Sequence, residues 1–432
     1  MPGDTPSRRW LLRAGGLGVA VAGTGAVIGS PRQDPTVPLY MSTVARSSSK
    51  SLVAVAAGQE NRVIPGSRVL HAAEDAHTLF RRQQQWVSSE RPWVRENPFP
   101  NLTRSALLDI CVLFDGFPAP LAGWAPLWRH VWPRDACHVA VGLAAAGLAR
   151  HTDSVFTFLS RVQRVDGRFE ARYLPDGSGV PDDRPVQLDG TGWVPWALDA
   201  VAQRLPAADQ AQFIAAHGPM VRRCVHTIVQ ETDTRTGLPA PCPDYWERPE
   251  REITLGTAAP LLAGLRAAAS LLRVIGEDEL ATVAGTRAKA LAEAIITAFG
   301  PAGYPRYPSG RGRDTAVAFL LPPYAPTTEP LVLKAFHQAQ DEMLRPAGGL
   351  APGAQWRDDG ISWTPHTASF ALAHALTGQR AQAERLLRWL DTHRTAAGSL
   401  PEKVLADGSP AAVAPLAWSA AQVLSCLEAL YG

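Results

Sequence analysis

Cysteine is scarce and scattered in this chain. Cys111, Cys137, Cys224, Cys242 and Cys426 stand singly, with no C-x-x-C pair and no dense spacing that would mark a disulfide framework. The eleven histidines include no H-E-x-x-H or comparable ligand spacing, so a metal site has little support. Charge of one sign is lacking too. The formal net charge is +2, which gives no basic surplus for nucleic acid and no acidic solvating tail. There is no G-x-S-x-G for a serine nucleophile elbow and no G-x-x-x-x-G-K for a phosphate-cradling loop. Alternating β patterns are rare, β-α-β alternation and heptads are missing, and no fixed repeat of roughly 30–45 residues marks a solenoid.

What remains is a globular composition, 46% hydrophobic and 19% charged over 432 residues, long enough for one large domain or two ordinary ones. Tryptophan is frequent, at thirteen. The bland reading is core filling. The sharper one is sugar recognition, because the C–H face of a pyranose packs on an aromatic plane. Several tryptophans stand beside charged residues, Pro or Gly rather than inside apolar periodic runs, which favours the second reading.

The N-terminus reads as an address. Ser7-Arg8-Arg9-Trp10-Leu11-Leu12-Arg13 precedes an apolar, glycine-rich run from Ala14 to Gly29. Paired arginines ahead of a weakly hydrophobic segment resemble a twin-arginine export signal, and the run is shorter than the roughly 20 residues of a membrane span. Residues 1–29 are therefore expected to be an export signal that engages the twin-arginine machinery, with the mature protein secreted or held in the cell envelope. An uncleaved membrane tether stays open, because Ala20-Val21-Ala22 lies inside the apolar run and Val27-Ile28-Gly29 matches a cleavage site poorly. Residues 30–50, rich in Ser, Pro, Thr and Arg, read as a linker. Residues 51–100 read as an N-terminal extension with a strand candidate at Ser51 to Val69, and 101–432 as the catalytic domain.

Helical periodicity dominates that domain. Val221, Cys224, Val225, Ile228 and Val229 share one face, with Pro219 suited to a first helical turn; Leu255, Ala258, Leu262, Leu265, Ala269 and Leu272 repeat the pattern. Helices are expected near 103–115, 134–149, 152–163, 190–204, 219–231, 254–274, 277–298, 314–321, 328–343, 364–377, 379–393 and 414–430. About twelve paired helices joined by polar, aromatic loops suit an all-α (α/α)6 barrel, the six-hairpin toroid. Periodicity alone shows only many amphipathic helices.

Four segments place charge and tryptophan where a plain bundle has no need of them. Trp132-Pro133-Arg134-Asp135 can be a helix N-terminus, but its adjacent Arg and Asp also offer fixed donors and acceptors to vicinal hydroxyls. Tyr173-Leu174-Pro175-Asp176-Gly177 followed by Gln187-Leu188-Asp189-Gly190 reads as turns, with Asp189 a possible cap for the next helix. Asp244-Tyr245-Trp246-Glu247 can be a solvated loop. A carboxyl among aromatic neighbours can instead be partly desolvated, which favours the protonated form that a general acid needs. Gly398-Ser399-Leu400-Pro401-Glu402-Lys403-Val404, with Pro415-Leu416-Ala417-Trp418-Ser419 behind it, can be an exposed Glu–Lys pair.

In this order, W-P-R-D, Q-x-D-G, D-x-W-E and P-E before a late W-S helix together resemble glycoside hydrolase family 15, which includes glucoamylases, glucodextranases and some trehalases. The resemblance covers about residues 100–430 and is specific in the ordered set. It implies that Trp132, Arg134 and Asp135 hold a non-reducing glucosyl unit and that Asp189 lies among the substrate-binding residues. It implies that Glu247, beside Trp246, is the general acid, that Glu402 is the general base, and that Arg357, upstream of Trp363, is a second sugar-holding arginine. The implied reaction needs no cofactor. It releases β-glucose by inversion from a malto- or isomalto-oligosaccharide or a disaccharide, the two carboxylates standing roughly 6.5–9.5 Å apart.

Departures weigh against raw starch. Arg248 follows the acid where starch-acting members often carry a second Glu. Pro181-Asp182-Asp183-Arg184 lacks the tryptophan of fungal glucoamylases. The segment from Arg357 to Trp363 is short. Three rivals remain: a non-catalytic exported sugar-binding protein on the same barrel, a trehalase, and a different (α/α)6 enzyme such as a lyase built on His366 and Arg357.

Overall fold

A computed structural model describes residues Val37 to Gly432. The expected export signal at 1–29 lies outside the described residues. Twelve helical segments fall where the periodicity places them. Six line an inner ring: α4 (Pro133–Ala145), α6 (Asp189–Ala202), α8 (Leu255–Val274), a short 3-10 turn at Thr315–Leu320, α11 (Thr364–Leu376) and α13 (Ala417–Tyr431). Each packs on the next and α13 closes back onto α4. The outer partners are α3 (Pro100–Phe114), α5 (Asp153–Val162), α7 (Ala207–Thr232), α9 (Asp278–Phe299), α10 (Pro330–Met343) and α12 (Arg380–Thr392). This is the (α/α)6 barrel.

The two rings differ as burial requires. Every residue of α4 is buried, and α8 and α13 are buried over most of their length. The outer α5 and α12 bury only a stripe of four residues each. By length and apolarity α8 would pass for a membrane span among the described residues, yet 89% of its apolar window is buried inside the barrel. Two glycines set the closest approach in the ring. A Cβ on Gly192 of α6 would stand 2.2 Å from the Pro260 carbonyl oxygen, and one on Gly264 of α8 would stand 2.5 Å from the Gly192 oxygen. Alanine at either position forces the helices apart, a strain of about 1–3 kcal/mol.

Four expectations need correction. The 314–321 element is a 3-10 turn rather than an α-helix. Asp314 caps its start by accepting from the Ala316 N–H, and Pro322-Pro323 closes it, leaving too few residues for α-helical turns. Helix α7 starts at Ala207, not Pro219: Pro206 precedes a run of good helix formers, and Pro219 sits inside the helix. The strand expected at Ser51 to Val69 is confined to β2 (Leu52–Val55). Helix α1 (Ala76–Val87) was not foreseen, because its polar sequence buries only Leu79, Gln83 and Trp86.

The linker assigned to 30–50 is overturned for its described part. Within it β1 (Thr43–Arg46) is fully buried and pairs antiparallel with β2, Thr43 opposite Val55. The segment docks on the loop that precedes Glu402. Thr43 Oγ1 is 2.7 Å from Ser399 Oγ, and Thr395 Oγ1 donates to the Ser42 carbonyl at 2.5 Å. Tyr40 N–H donates to the Ala412 carbonyl at 2.8 Å, and Ala412 N–H returns a bond to Pro38. Composition suggested a linker; the small polar side chains are instead spent on hydrogen bonds into the barrel. Among the described residues the five cysteines are all free, and Cys242 alone is less than fully buried.

Candidate active site

The loops at one end of the barrel converge on a cleft of about 230 Å³. Trp128, Trp132, Trp246, Trp356, Trp363 and Trp418 line it, six of the thirteen tryptophans, together with Arg134, Asp135, Arg172, Arg184, Tyr245, His366, Glu247 and Glu402. Both glutamates named from sequence therefore face one space.

The W-P-R-D segment is a helix start and part of the cleft at once. Trp132 is the N-cap of α4, and Pro133 fills the first turn, where a missing N–H costs nothing. Arg134 follows in that turn, 6% exposed, with Nη2 2.9 Å from Asp135 and the guanidinium 4.7 Å from the centre of the Trp418 ring. Its Nε and Nη1 are buried without a protein acceptor. Burial pushes Asp135 above the usual carboxylate range, against the pull of Arg134.

Glu247 is held from three sides. Trp132 Nε1–H donates to its Oε1 at 2.6 Å, Arg184 forms an ion pair with Oε2, and Arg134 Nη2 lies 4.0 Å from Oε1. The apolar setting anticipated for this carboxyl is thus replaced by a guanidinium and an indole N–H. Its backbone sits in the left-handed region, φ 54°, at the end of a turn closed by Glu247 N–H to the Asp244 carbonyl at 2.8 Å.

That turn is anchored from below. Asp244, fully buried, accepts from Trp246 N–H (2.9 Å), Thr254 Oγ1 (2.8 Å) and Arg306 Nη2 (2.9 Å). Arg306 is 1% exposed and also meets Glu250 and Asp314, each at 2.7 Å, with its guanidinium 3.8 Å from the Trp246 ring centre. Burial opposes its charge, but Asp244 and Asp314 outweigh that and hold the guanidinium firmly protonated.

Glu402 lies just before β4 (Lys403–Val404), the middle strand of a small sheet with β3 (Ser362–Trp363) and β5 (Pro410–Ala411). Its N–H donates to the Val413 carbonyl at 2.8 Å. Trp128 Nε1–H donates to Oε1 at 3.0 Å, and Lys403 Nζ stands 3.5 Å from Oε2. The residue is 8% exposed, so the exposed-pair reading fails. Burial pushes its pKa up, with Lys403 and the Trp128 bond opposing.

Two expected substrate contacts do not reach the cleft. Asp189 begins α6 but is buried and does not line the cleft; its Oδ2 accepts from Trp193 Nε1 at 3.2 Å, and burial lifts its pKa to about 6. Arg357 is exposed outside the lining, 6.0 Å from the Trp356 ring centre. The lyase pairing of His366 and Arg357 fails with it: His366 is buried, bonded to Thr315 Oγ1 at 3.0 Å, and kept neutral, its pKa lowered to about 3 by burial and Arg134. Sequence reading missed Trp128, Arg172, Arg184 and Arg306. The tryptophan count hinted at Trp128; no local signal marks the three arginines, whose roles arise between loops. Among the described residues, no group of three or more His, Cys, Asp or Glu is placed to hold a metal ion.

This fold is the barrel seen in glucoamylase-like glycosidases. No family model matches the chain. Among solved structures, a bacterial glucoamylase complexed with acarbose superposes with TM-score 0.66 at 17% identity, covering 83% of this chain and 59% of that one. A wild-type glycosidase gives 0.63 at 20%, covering 77% and 96%, and the glucoamylase of Saccharomycopsis fibuligera 0.62 at 12%, covering 78% and 96%. An uncharacterised glycosyl hydrolase of Methanocaldococcus jannaschii is 26% identical over 188 residues, 43% of this chain and 29% of that protein, so the match spans under a third of the relative's length.

Proposed function

We propose that this protein is an exported, inverting glycoside hydrolase that releases β-glucose from the non-reducing end of short α-glucosides. The observation that carries this reading is the meeting of Glu247 and Glu402, from opposite halves of the ring, in one tryptophan-lined cleft beside Arg134 and Asp135. A binding protein would need the aromatic walls and the Arg–Asp clamp. It would not need two carboxylates, each fixed by an indole N–H.

In this reading Arg134 and Asp135 take the hydroxyls of the terminal glucosyl unit, and the unmet donors of Arg134 find acceptors there. Glu247 protonates the glycosidic oxygen as the bond to C1 breaks, while Glu402 takes a proton from the water that attacks the opposite face. The raised affinity of buried Glu402 for a proton suits a base. The chemistry of the neighbours agrees: one relative was solved with glucose bound and another with acarbose. The small cleft favours a disaccharide or short oligosaccharide over raw starch. Export rests on Arg8-Arg9 and the apolar run to Gly29, and places the enzyme outside the cytoplasm, secreted or tethered.

Proton NMR of the purified protein with maltose, isomaltose, trehalose and a longer maltooligosaccharide tests this directly. An early excess of β-glucose over the anomeric equilibrium, or one β- and one α-glucose per trehalose, supports the reading and names the linkage. An early α-glucose excess from maltose, isomaltose or the oligosaccharide, or two α-glucoses per trehalose, refutes inversion, and no glucose from the whole panel refutes α-glucosidase action.

A further inference from the structure

The cleft carries a charge arrangement that hydrolysis of a neutral glucoside does not require. Arg184, whose side chain is 35% exposed, pairs through Nη1 with Glu247 Oε2 and through Nε with Asp182 Oδ2 at 3.2 Å. Asp182 is already committed to Arg172, which is almost fully buried against the Trp132 ring. Arg248, next to the acid, lies 6.0 Å from the ring centres of both Trp246 and Trp356. Nearby, burial and then Arg172 lower the pKa of His130 to about 4, with Arg184 adding to this and Asp182 opposing it.

A general acid must hold a proton when the glycosidic bond breaks. Once protonated, Glu247 no longer neutralises Arg184, and guanidinium groups do not give up their charge. Asp182 is then left to serve two arginines. The reactive form of the site therefore carries one uncompensated positive charge, on the acid's own side of the cleft, where the leaving group stands.

We propose that the substrate supplies the missing charge: the preferred substrate is an α-glucoside whose leaving group bears an oxyanion, such as a carboxylate, sulfate or phosphate, which takes Arg184 from Glu247. This rests on the reading of Glu247 as general acid. The anion itself is unchanged by the reaction. The C1–O bond breaks, the proton of Glu247 goes to the leaving oxygen, water oxygen bonds to C1, and Glu402 receives the water proton. Arg184 is in this account a specificity residue.

The test uses para-carboxyphenyl and para-carbamoylphenyl α-glucosides, matched in size and differing in charge, with the full chain. Titration calorimetry on E247Q, whose neutral amide stands in for the protonated acid, should show the carboxylate binding at least tenfold tighter than the carboxamide. That preference should fall to less than threefold in E247Q/R184Q and in E247Q at high salt. Wild-type kcat/KM should show the same order. Equal affinity for both ligands in E247Q, or a preference that survives loss of Arg184, overturns the proposal even if both are hydrolysed. A preference without hydrolysis of either ligand upholds anion recognition and instead removes the glucosidase reading. Binding of neither ligand overturns both.

Discussion

Removing Arg306 should loosen the base of the cleft from beneath, without removing any side chain that lines it. Arg306→Met leaves Asp244 and Asp314, both fully buried, without their shared cation, and Glu250 without its 2.7 Å partner. Breaking a buried pair by deleting one partner costs about 3–5 kcal/mol. Loss of the cation over Trp246 adds up to about 2 kcal/mol in a desolvated setting. The remaining bonds of Asp244 to Thr254 and Trp246 N–H, and of Asp314 to Ala316 N–H, offset part of this, so a total of about 3–5 kcal/mol is expected. For 432 residues at roughly 2.1 cal/mol/K each, this corresponds to a fall in Tm of about 3–6 °C. The same arginine fixes the turn that carries Glu247, and misplacing a catalytic group by about 1 Å costs around a hundredfold, so kcat should drop by that order. Arg306→Lys should recover little, because one ammonium cannot span three carboxylates in the planes a guanidinium reaches. Scanning calorimetry with activity on the best NMR substrate reads both effects. A Tm within 1 °C of wild type with kcat unchanged would refute the anchoring role.

Glu247→Gln and Glu402→Gln should each lower kcat by about 10²–10⁴-fold with the far-ultraviolet circular dichroism spectrum unaltered; a near-wild-type rate in either removes that residue from the mechanism. Arg134→Ala should reduce kcat/KM by roughly 10–150-fold, the value of a charged hydrogen bond lost to the sugar, and an unchanged specificity constant refutes the clamp. The acid limb of the kcat/KM profile should follow Glu402, which must be ionised to act. Its raised pKa places that limb above the usual carboxylate range, and Lys403→Met, by removing an opposing cation, should move the limb to still higher pH. Starting the chain at Ser51 instead of Ser30 should lower Tm and activity together, because it strips the Thr43 and Ser42 bonds from the loop before Glu402; equal thermal curves for the two would show the segment to be dispensable.

The barrel was legible because its helices are long and periodic; which of them form the inner ring was not, because inner and outer helices alike show an apolar stripe and only packing buries the inner ones all round. The two glutamates were legible through their motifs, since each sits in a short segment whose local geometry fixes its direction. What escaped was set by contacts across the chain. Nothing around Arg306 announces that it will join Asp244, Glu250 and Asp314, and Arg184 reaches Glu247 from a different loop. Arg357 was misassigned for the same reason: its place upstream of Trp363 matched a pattern, but its loop turns it outward. Residues 37–50 looked like part of a linker because Ser, Thr and Pro are common in linkers; the same hydroxyls also suit edge-strand docking, and only the partner surface decides.

The indole of Trp132 has a bearing on the path of the proton. An indole N–H donates and cannot accept, so while it holds Oε1 of Glu247 that oxygen is kept as an acceptor. A proton carried by Glu247 is then favoured on Oε2, the oxygen that Arg184 occupies, and Arg184 likewise has only donors to offer. If Glu247 is the general acid proposed above, that proton competes with the Arg184 guanidinium for the lone pairs of one oxygen. In the proposed mechanism the hydrogen destined for the glycosidic oxygen would then loosen this pairing as substrate arrives.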